Sequence, residues 1–206
     1  MVRHLLNKLP ENERQELSAW LTDYLIFRQD VDRFLDRYFN DICTDTCYQS
    51  RTSACCSREG IITFFADIVA NLLVADHAEF ENLMRVLKKP NDGFKCVYLS
   101  ERGCLWHLKP IVCQMFLCER SKKLVFDQNS ALLSEWKLLE AKRKRFTWPD
   151  RPVLFDDLES YFLKAGCRSP LMYLHNSPGL LRIKKKPGLS KICSFNPLFG
   201  DRQHRP

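Results

Sequence analysis

Eight of the ten cysteines fall into two compact groups, Cys43-x3-Cys47-x7-Cys55-Cys56 and Cys96-x7-Cys104-x8-Cys113-x4-Cys118. Thiolates gathered this densely in a chain without a recognisable export signal point to metal ligation before disulfides. A tetrahedral zinc takes four ligands at about 2.3 Å from sulfur, so eight thiols suffice for two zinc ions. An iron–sulfur cluster is held by the same side chains and offers several metal corners spread over a few ångströms. The neighbouring pair Cys55-Cys56 bears on the choice. Consecutive side chains diverge by about 100° on a helix and point to opposite faces of a strand, so two adjacent thiolates converge on one small ion only through a strained turn. A polynuclear centre, or two separate metals, accommodates them more easily. Spacing alone leaves iron and zinc both open, because neither a zinc-ribbon spacing nor a ferredoxin run occurs. A disulfide framework is the alternative in an oxidising compartment.

Other side chains with chemical capacity read more plainly. His107, three residues after Cys104, is a ligand or an acid–base group if it acts directly, but among so many thiols it is better read as a residue that orients them. His77 lies at a helix start and is expected to be exposed. Asp67 sits inside an apolar run, where an acid usually satisfies local backbone or a nearby cation, and a buried or capping role is expected before a functional one. Cys167 and Cys193 lack partners at ligand spacing and read as thiols outside the site. No Gly-rich phosphate loop, nucleophile elbow or His-Glu metalloprotease motif is present.

These residues need a scaffold, and 206 residues suffice for one core with an appendage. Residues 1–15 carry Arg3, His4, Lys8 and Arg14 around a lone Leu5-Leu6 pair, which argues against a signal peptide and makes a cytoplasmic home the expectation. The most apolar window, Ile61 to Ala75, is shorter than the roughly 20 residues a bilayer span requires and contains Asp67 and Asn71, so no membrane span is expected. The net charge of +7 is concentrated at one end: from Lys164 onward there are nine Lys or Arg and one acid, Asp201. A nucleic-acid module would show such charge on a folded face with aromatic residues interleaved. Lys184-Lys185-Lys186 fits a solvated tail, or an arm for an acidic protein partner, at least as well.

Helical periodicity begins after Pro10, with Leu17, Trp20, Leu21, Tyr24, Phe27, Val31, Phe34, Leu35, Tyr38 and Ile42 on one side and Arg14, Asp23, Arg33 and Arg37 on the other. This predicts one long amphipathic helix, or two with a break near Gln29, and a continuation through Cys47 would place Cys43 and Cys47 on one face. Ile61 to Val74 reads as a short strand running into a buried helix, and Asp76 to Lys88 as an amphipathic helix with Phe80, Leu83, Met84 and Leu87 inward. Phe94 to Leu99 and Cys104 to His107 read as a hairpin whose strands each carry a cysteine. Pro110 opens a segment holding Cys113 and Cys118. Ser130 to Arg145 is a surface helix with Leu132, Leu133, Trp136 and Leu139 inward, its terminal Lys142 to Arg145 suiting the helix dipole before any binding role. Phe155 to Ala165 is a helix closed by Gly166, and from Cys167 an extended wrap or a partly disordered tail is expected.

With these residues in place, the chain resembles the YkgJ-type cysteine-cluster proteins, a family taken to chelate zinc or iron. Its pattern is an early C-x2-3-C with a CC pair, then C-x-[FYL]-L, G-C, an aromatic, R-P and two closing cysteines. The counterparts are Cys43, Cys47, Cys55 and Cys56, then Cys96-Val97-Tyr98-Leu99, Gly103-Cys104-Leu105-Trp106, Lys109-Pro110, Cys113 and Cys118, over residues 43–118. Lys109 stands where the family has Arg, Gln114 follows Cys113 where Arg is common, and Phe116-Leu117 replaces an aromatic-proline pair. A bidentate arginine contact bracing the motif is thereby placed in doubt. The best described relatives are longer flagellin lysine N-methylases carrying the same cysteine pattern with an iron–sulfur cluster.

The expected architecture is mainly α with a short β-hairpin, a small helical domain organised around a cysteine-ligated metal centre. It divides into an amphipathic helical segment (1–42), a metal-binding domain (43–118), helices packing on it (119–166) and a basic tail (167–206). The expected cofactor is an iron–sulfur cluster, 4Fe–4S favoured, with zinc as alternative, in a structural, electron-transfer or accessory role beside a protein partner. The resemblance also implies a cluster-dependent protein-modifying enzyme as an alternative. A third reading is a zinc-stabilised interaction module using its basic tail, with nucleic acid the less favoured partner.

Overall fold

A computed structural model describes residues 2–43, 56, 63–88, 95–100, 103–147 and 153–173. Expectations for Cys47, Cys55, the turn 57–60, the turn 91–93, Lys184 to Lys186 and Cys193 lie outside these residues, as does the side chain of Cys43. The described chain is mainly helical. In order it forms α1 (Val2–Leu6), α2 (Glu11–Trp20), α3 (Thr22–Tyr38), α4 (Asn40–Cys43), α5 (Phe65–Val74), α6 (His77–Leu87), β1 (Leu99–Ser100), β2 (Gly103–Cys104), α7 (Ile111–Gln114), α8 (Glu119–Phe126), α9 (Ser130–Arg143) and α10 (Leu154–Lys164). The two strands pair antiparallel, Leu99 opposite Cys104 and Ser100 opposite Gly103.

The long N-terminal periodicity is interrupted at Leu21 rather than near Gln29. Leu21 N donates to Ser18 O at 3.1 Å, a tightened turn between α2 and α3, and its side chain is fully buried. The polar run Arg28-Gln29-Asp30 looks like a break in the sequence, but Arg28 is itself a core residue, 2% exposed, and the helix runs through it. Tyr24, Phe27, Val31 and Phe34 make the buried stripe of α3. Against it, the rings of Phe146 and Phe155 lie 5.4 and 5.6 Å from Tyr24, and Trp136 of α9 lies 5.5 Å from Phe34. Edge-on and tilted aromatic pairs at these distances add to their burial.

Local chemistry sets the helix starts. Asp67, at the third position of α5, accepts the N–H of Phe64 at 2.9 Å. Asp76 and Glu79 exchange side-chain-to-backbone bonds of 2.8 and 3.0 Å at the start of α6. Asn129 accepts from Ala131 at the start of α9. Gly166, with φ of 80°, closes α10 in a left-handed conformation that other residues adopt only at a cost. Of the four residues expected inward on α6, Leu83 is buried and Leu87 is 52% exposed.

Of the two forms expected after Gly166, residues 167–173 take the wrap. Cys167 and Met172 are fully buried. Phe65 N donates to Leu171 O at 3.3 Å, Tyr173 N donates to Glu159 Oε1 at 3.1 Å, and the Tyr173 hydroxyl donates to Asp156. Residues 167–173 thus form a strap across α5 and α10. Burial of Met172, with two acids of α10 accepting the Tyr173 N–H and hydroxyl, explains why it docks.

Candidate metal centre

Cys96 N donates to Cys56 O at 2.7 Å, and this bond joins the two cysteine groups. The hairpin presents the next thiol differently from expectation. Leu99 N donates back to Cys96 O at 3.0 Å, so Cys96 to Leu99 is a turn, and Cys96 precedes β1 instead of lying on it. Cys104 does lie on β2. Cys113 is carried by α7, one turn beyond Pro110, whose fixed φ suits a helix start.

Neighbouring thiols act on Cys96 and on Cys104. Burial pushes the Cys96 thiol up, and the charges of Cys56 and Cys113 push it further. Burial pushes Cys104 up to about 11, with Cys96 and Cys56 adding to the effect and Lys109 opposing it. Cys96 therefore lies within electrostatic reach of Cys56, Cys104 and Cys113, drawn from both sequence groups. Cys56, Cys96, Cys104 and Cys118 stand outside any disulfide. Among the described residues no group of three or more His, Cys, Asp or Glu has the arrangement of a formed metal site.

Cys118 has a different setting. It caps α8, where Ser121 N donates to its sulfur at 3.4 Å and Ser121 Oγ lies equally close. Burial alone would raise this thiol, but these contacts and the Arg120 N–H outweigh it and lower the thiol below its usual value. Its perturbing groups belong to its own helix turn. Cys43 ends α4.

A buried polar clamp fixes the backbone between Cys104 and Cys113. Asn71 Nδ2 donates to Leu108 O at 2.7 Å while Leu108 N donates to Asn71 Oδ1 at 2.9 Å. Asp67 Oδ1 accepts Ile111 N at 3.1 Å, and Arg28 donates to Lys109 O at 2.5 Å and to Tyr24 Oη at 2.8 Å. Three side chains from α3 and α5 thus pair backbone groups of residues 108, 109 and 111. Burial raises Asp67 to about 6, against the pull of the Phe64 and Ile111 N–H groups and the Arg28 charge. Burial likewise raises Tyr24 well above the usual phenol range despite the neighbouring Arg28.

Asp67 is therefore the buried, capping acid expected of it. Arg28 and Asn71 are residues that sequence reasoning passed over. The signal was present: Arg28 falls four residues after Tyr24 and three before Val31, on the apolar stripe, and Asn71 falls one turn after Asp67. The backbone carbonyl of Lys109 is held by Arg28 from α3. Gln114 is buried, and its amide donates to Asp32. His107 pairs with Glu79 at 3.0 Å on the surface, and His77 is 81% exposed as expected.

Compared with protein-family models, curated proteins and solved structures, the chain matches none. No helix among the described residues is long and apolar enough to cross a membrane.

Proposed function

We propose that the chain is a cysteine-rich metal-binding protein of the YkgJ type, in which Cys43, Cys47, Cys55, Cys56, Cys96, Cys104, Cys113 and Cys118 hold an iron–sulfur cluster, with zinc as the alternative. The observation that carries this reading is the Cys96-to-Cys56 backbone bond, which joins the two cysteine groups, with Cys104 and Cys113 within electrostatic reach of Cys96. The donor set is all sulfur, the chemistry that selects iron–sulfur clusters and zinc over hard cations. A bound cluster would supply reversible one-electron transfer or a rigid structural node. The protein's part would be to close these thiols on the metal, with the 104–113 segment held by the buried clamp. A protein partner and a cytoplasmic home accompany the proposal.

Anaerobic purification followed by metal analysis and an absorption spectrum tests it. The expected result is a brown protein with broad absorption near about 400 nm, the region of sulfur-to-iron charge transfer. A colourless protein loaded with zinc moves the assignment to the alternative. A chain that retains neither metal overturns it.

A further inference from the structure

A groove of about 910 Å³ runs between α2, the start of α3 and α10, a size that ligand clefts commonly have. Helical spacing builds its walls. Glu13, Glu16, Trp20 and Asp23 recur at steps of three, four and three residues and form one ridge. Leu154, Asp157, Tyr161 and Lys164 repeat the same steps on α10 and form the other. The ridges touch where Trp20 stands edge-on to Tyr161, ring centres 6.1 Å apart and planes at 89°, and where the Tyr161 hydroxyl donates to Glu13 Oε2 at 3.1 Å. Both rings are half-buried and give the groove two perpendicular aromatic walls.

The charge around these walls is unbalanced. Four acids line the groove, Glu13, Glu16, Asp23 and Asp157, against two bases, Arg145 and Lys164. Among the described residues, no ion pair takes up Glu13, Glu16 or Asp23. Their field reaches the aromatic corner. Burial raises the Tyr161 hydroxyl above the usual phenol range, and its bond to Glu13 and the charges of Glu13 and Glu16 raise it further. A cleft lined by one sign of charge concentrates ligands of the other.

We propose that this groove docks a basic peptide, taking an arginine side chain of the partner between Trp20 and the carboxylates beside it. A guanidinium is planar and weakly hydrated, stacks on an aromatic face and presents five donors, so it suits a site that offers rings and several carboxylates together. A lysine ammonium is a compact, strongly hydrated point charge and uses the rings less well. Glu16 and Asp23 flank Trp20 on its ridge, one helical turn to either side, and supply the acceptors. Glu13 already accepts from Tyr161 and adds its charge. The ridge from Glu13 to Asp23 is about 15 Å long, enough for a second basic side chain of the same peptide. The inference stands independently of the metal reading.

Isothermal titration of the purified full chain with the end-blocked peptide Ala-Arg-Ala-Ala-Arg-Ala and its lysine and citrulline counterparts tests it. The arginine peptide is expected to bind about fivefold tighter than the lysine one, the scale of one exposed cation–π contact. Citrulline keeps the shape without the charge and should not bind. Trp20→Leu should bring the arginine-over-lysine preference down to about twofold or less while leaving weak binding in place. Glu16→Gln combined with Asp23→Asn alters two exposed positions and should weaken the arginine peptide about tenfold, as two surface ion pairs provide. If Trp20→Leu lacks a cooperative thermal transition, this exposed pair carries the test by itself. No binding of the arginine peptide at millimolar concentration, equal binding of the lysine or citrulline peptide, an unchanged preference in folded Trp20→Leu, or parental affinity in the acid-to-amide variant each overturns the proposal.

Discussion

Asn71 and Leu108 exchange two hydrogen bonds, the carboxamide of α5 serving the backbone N–H and C=O of the hairpin's exit as a neighbouring strand would. This pair joins the core to the cysteine segment at a point 37 residues away in the chain. Asn71→Leu preserves approximate volume while leaving both Leu108 groups unpaired next to the core, a cost of about 2–4 kcal/mol. Urea unfolding should show the loss as a lower midpoint with an unchanged slope, and metal content should fall with it. A midpoint within error of the parent would show that this pairing does not matter.

Asp67 predicts a pH dependence of unusual sign for a carboxylate. Its folded value of about 6 lies above the ordinary 3.8, so the folded state holds this proton more tightly than the unfolded chain does. The favourable contribution is complete below the ordinary value, falls as pH rises from about 4 to about 6, and is absent above that, a swing on the order of 3 kcal/mol. Asp67→Asn should remove this slope. Denaturant unfolding of both proteins at intervals across that window checks it, and parallel curves for the two would dispose of the idea.

Much of this scaffold is readable from periodicity and end signals. The reciprocal cap at Asp76 and Glu79, the Gly166 exit and the inward Trp136 and Leu139 follow from side-chain chemistry within a few residues of each position. What escapes is non-local. Arg28 reads as a solvent-side charge until Lys109, 81 residues on, provides its acceptor. Cys96 reads as a strand residue until the turn back from Leu99 is seen, and residues 167–173 read equally as wrap or loose tail until Glu159 and Asp156 are found bonding Tyr173. The cysteine groups were legible as a candidate site because thiol chemistry is declared by residue type. Which thiols meet depends on contacts that spacing does not encode.

Cys56 and Cys104 come from different sequence groups and lie within electrostatic reach of each other. If both are ligands, replacing either by Ser should lose metal and much of the folded structure together, because ligation and folding are coupled. Metal analysis with far-ultraviolet circular dichroism on each purified variant reads both quantities. Full metal content in the two variants would remove these residues from the ligand set.

The strap at residues 167–173 separates two truncations that would otherwise look equivalent. Deleting 174–206 removes the basic cluster Lys184 to Lys186 but none of the described core contacts, whereas deleting 167–206 also strips out Cys167, Met172 and Tyr173. Burying a Met side chain contributes about 1.5–3 kcal/mol, and losing Tyr173 removes one hydrogen bond each from the buried Asp156 and Glu159. The longer deletion should therefore lower the thermal midpoint by several degrees or prevent folding, while the shorter one leaves it unchanged. The shorter variant is also the clean probe of the tail: a partner captured by the full chain and lost on deleting 174–206 would bind through the basic arm. Equal midpoints for the two truncations would show that the strap adds nothing to the core it covers.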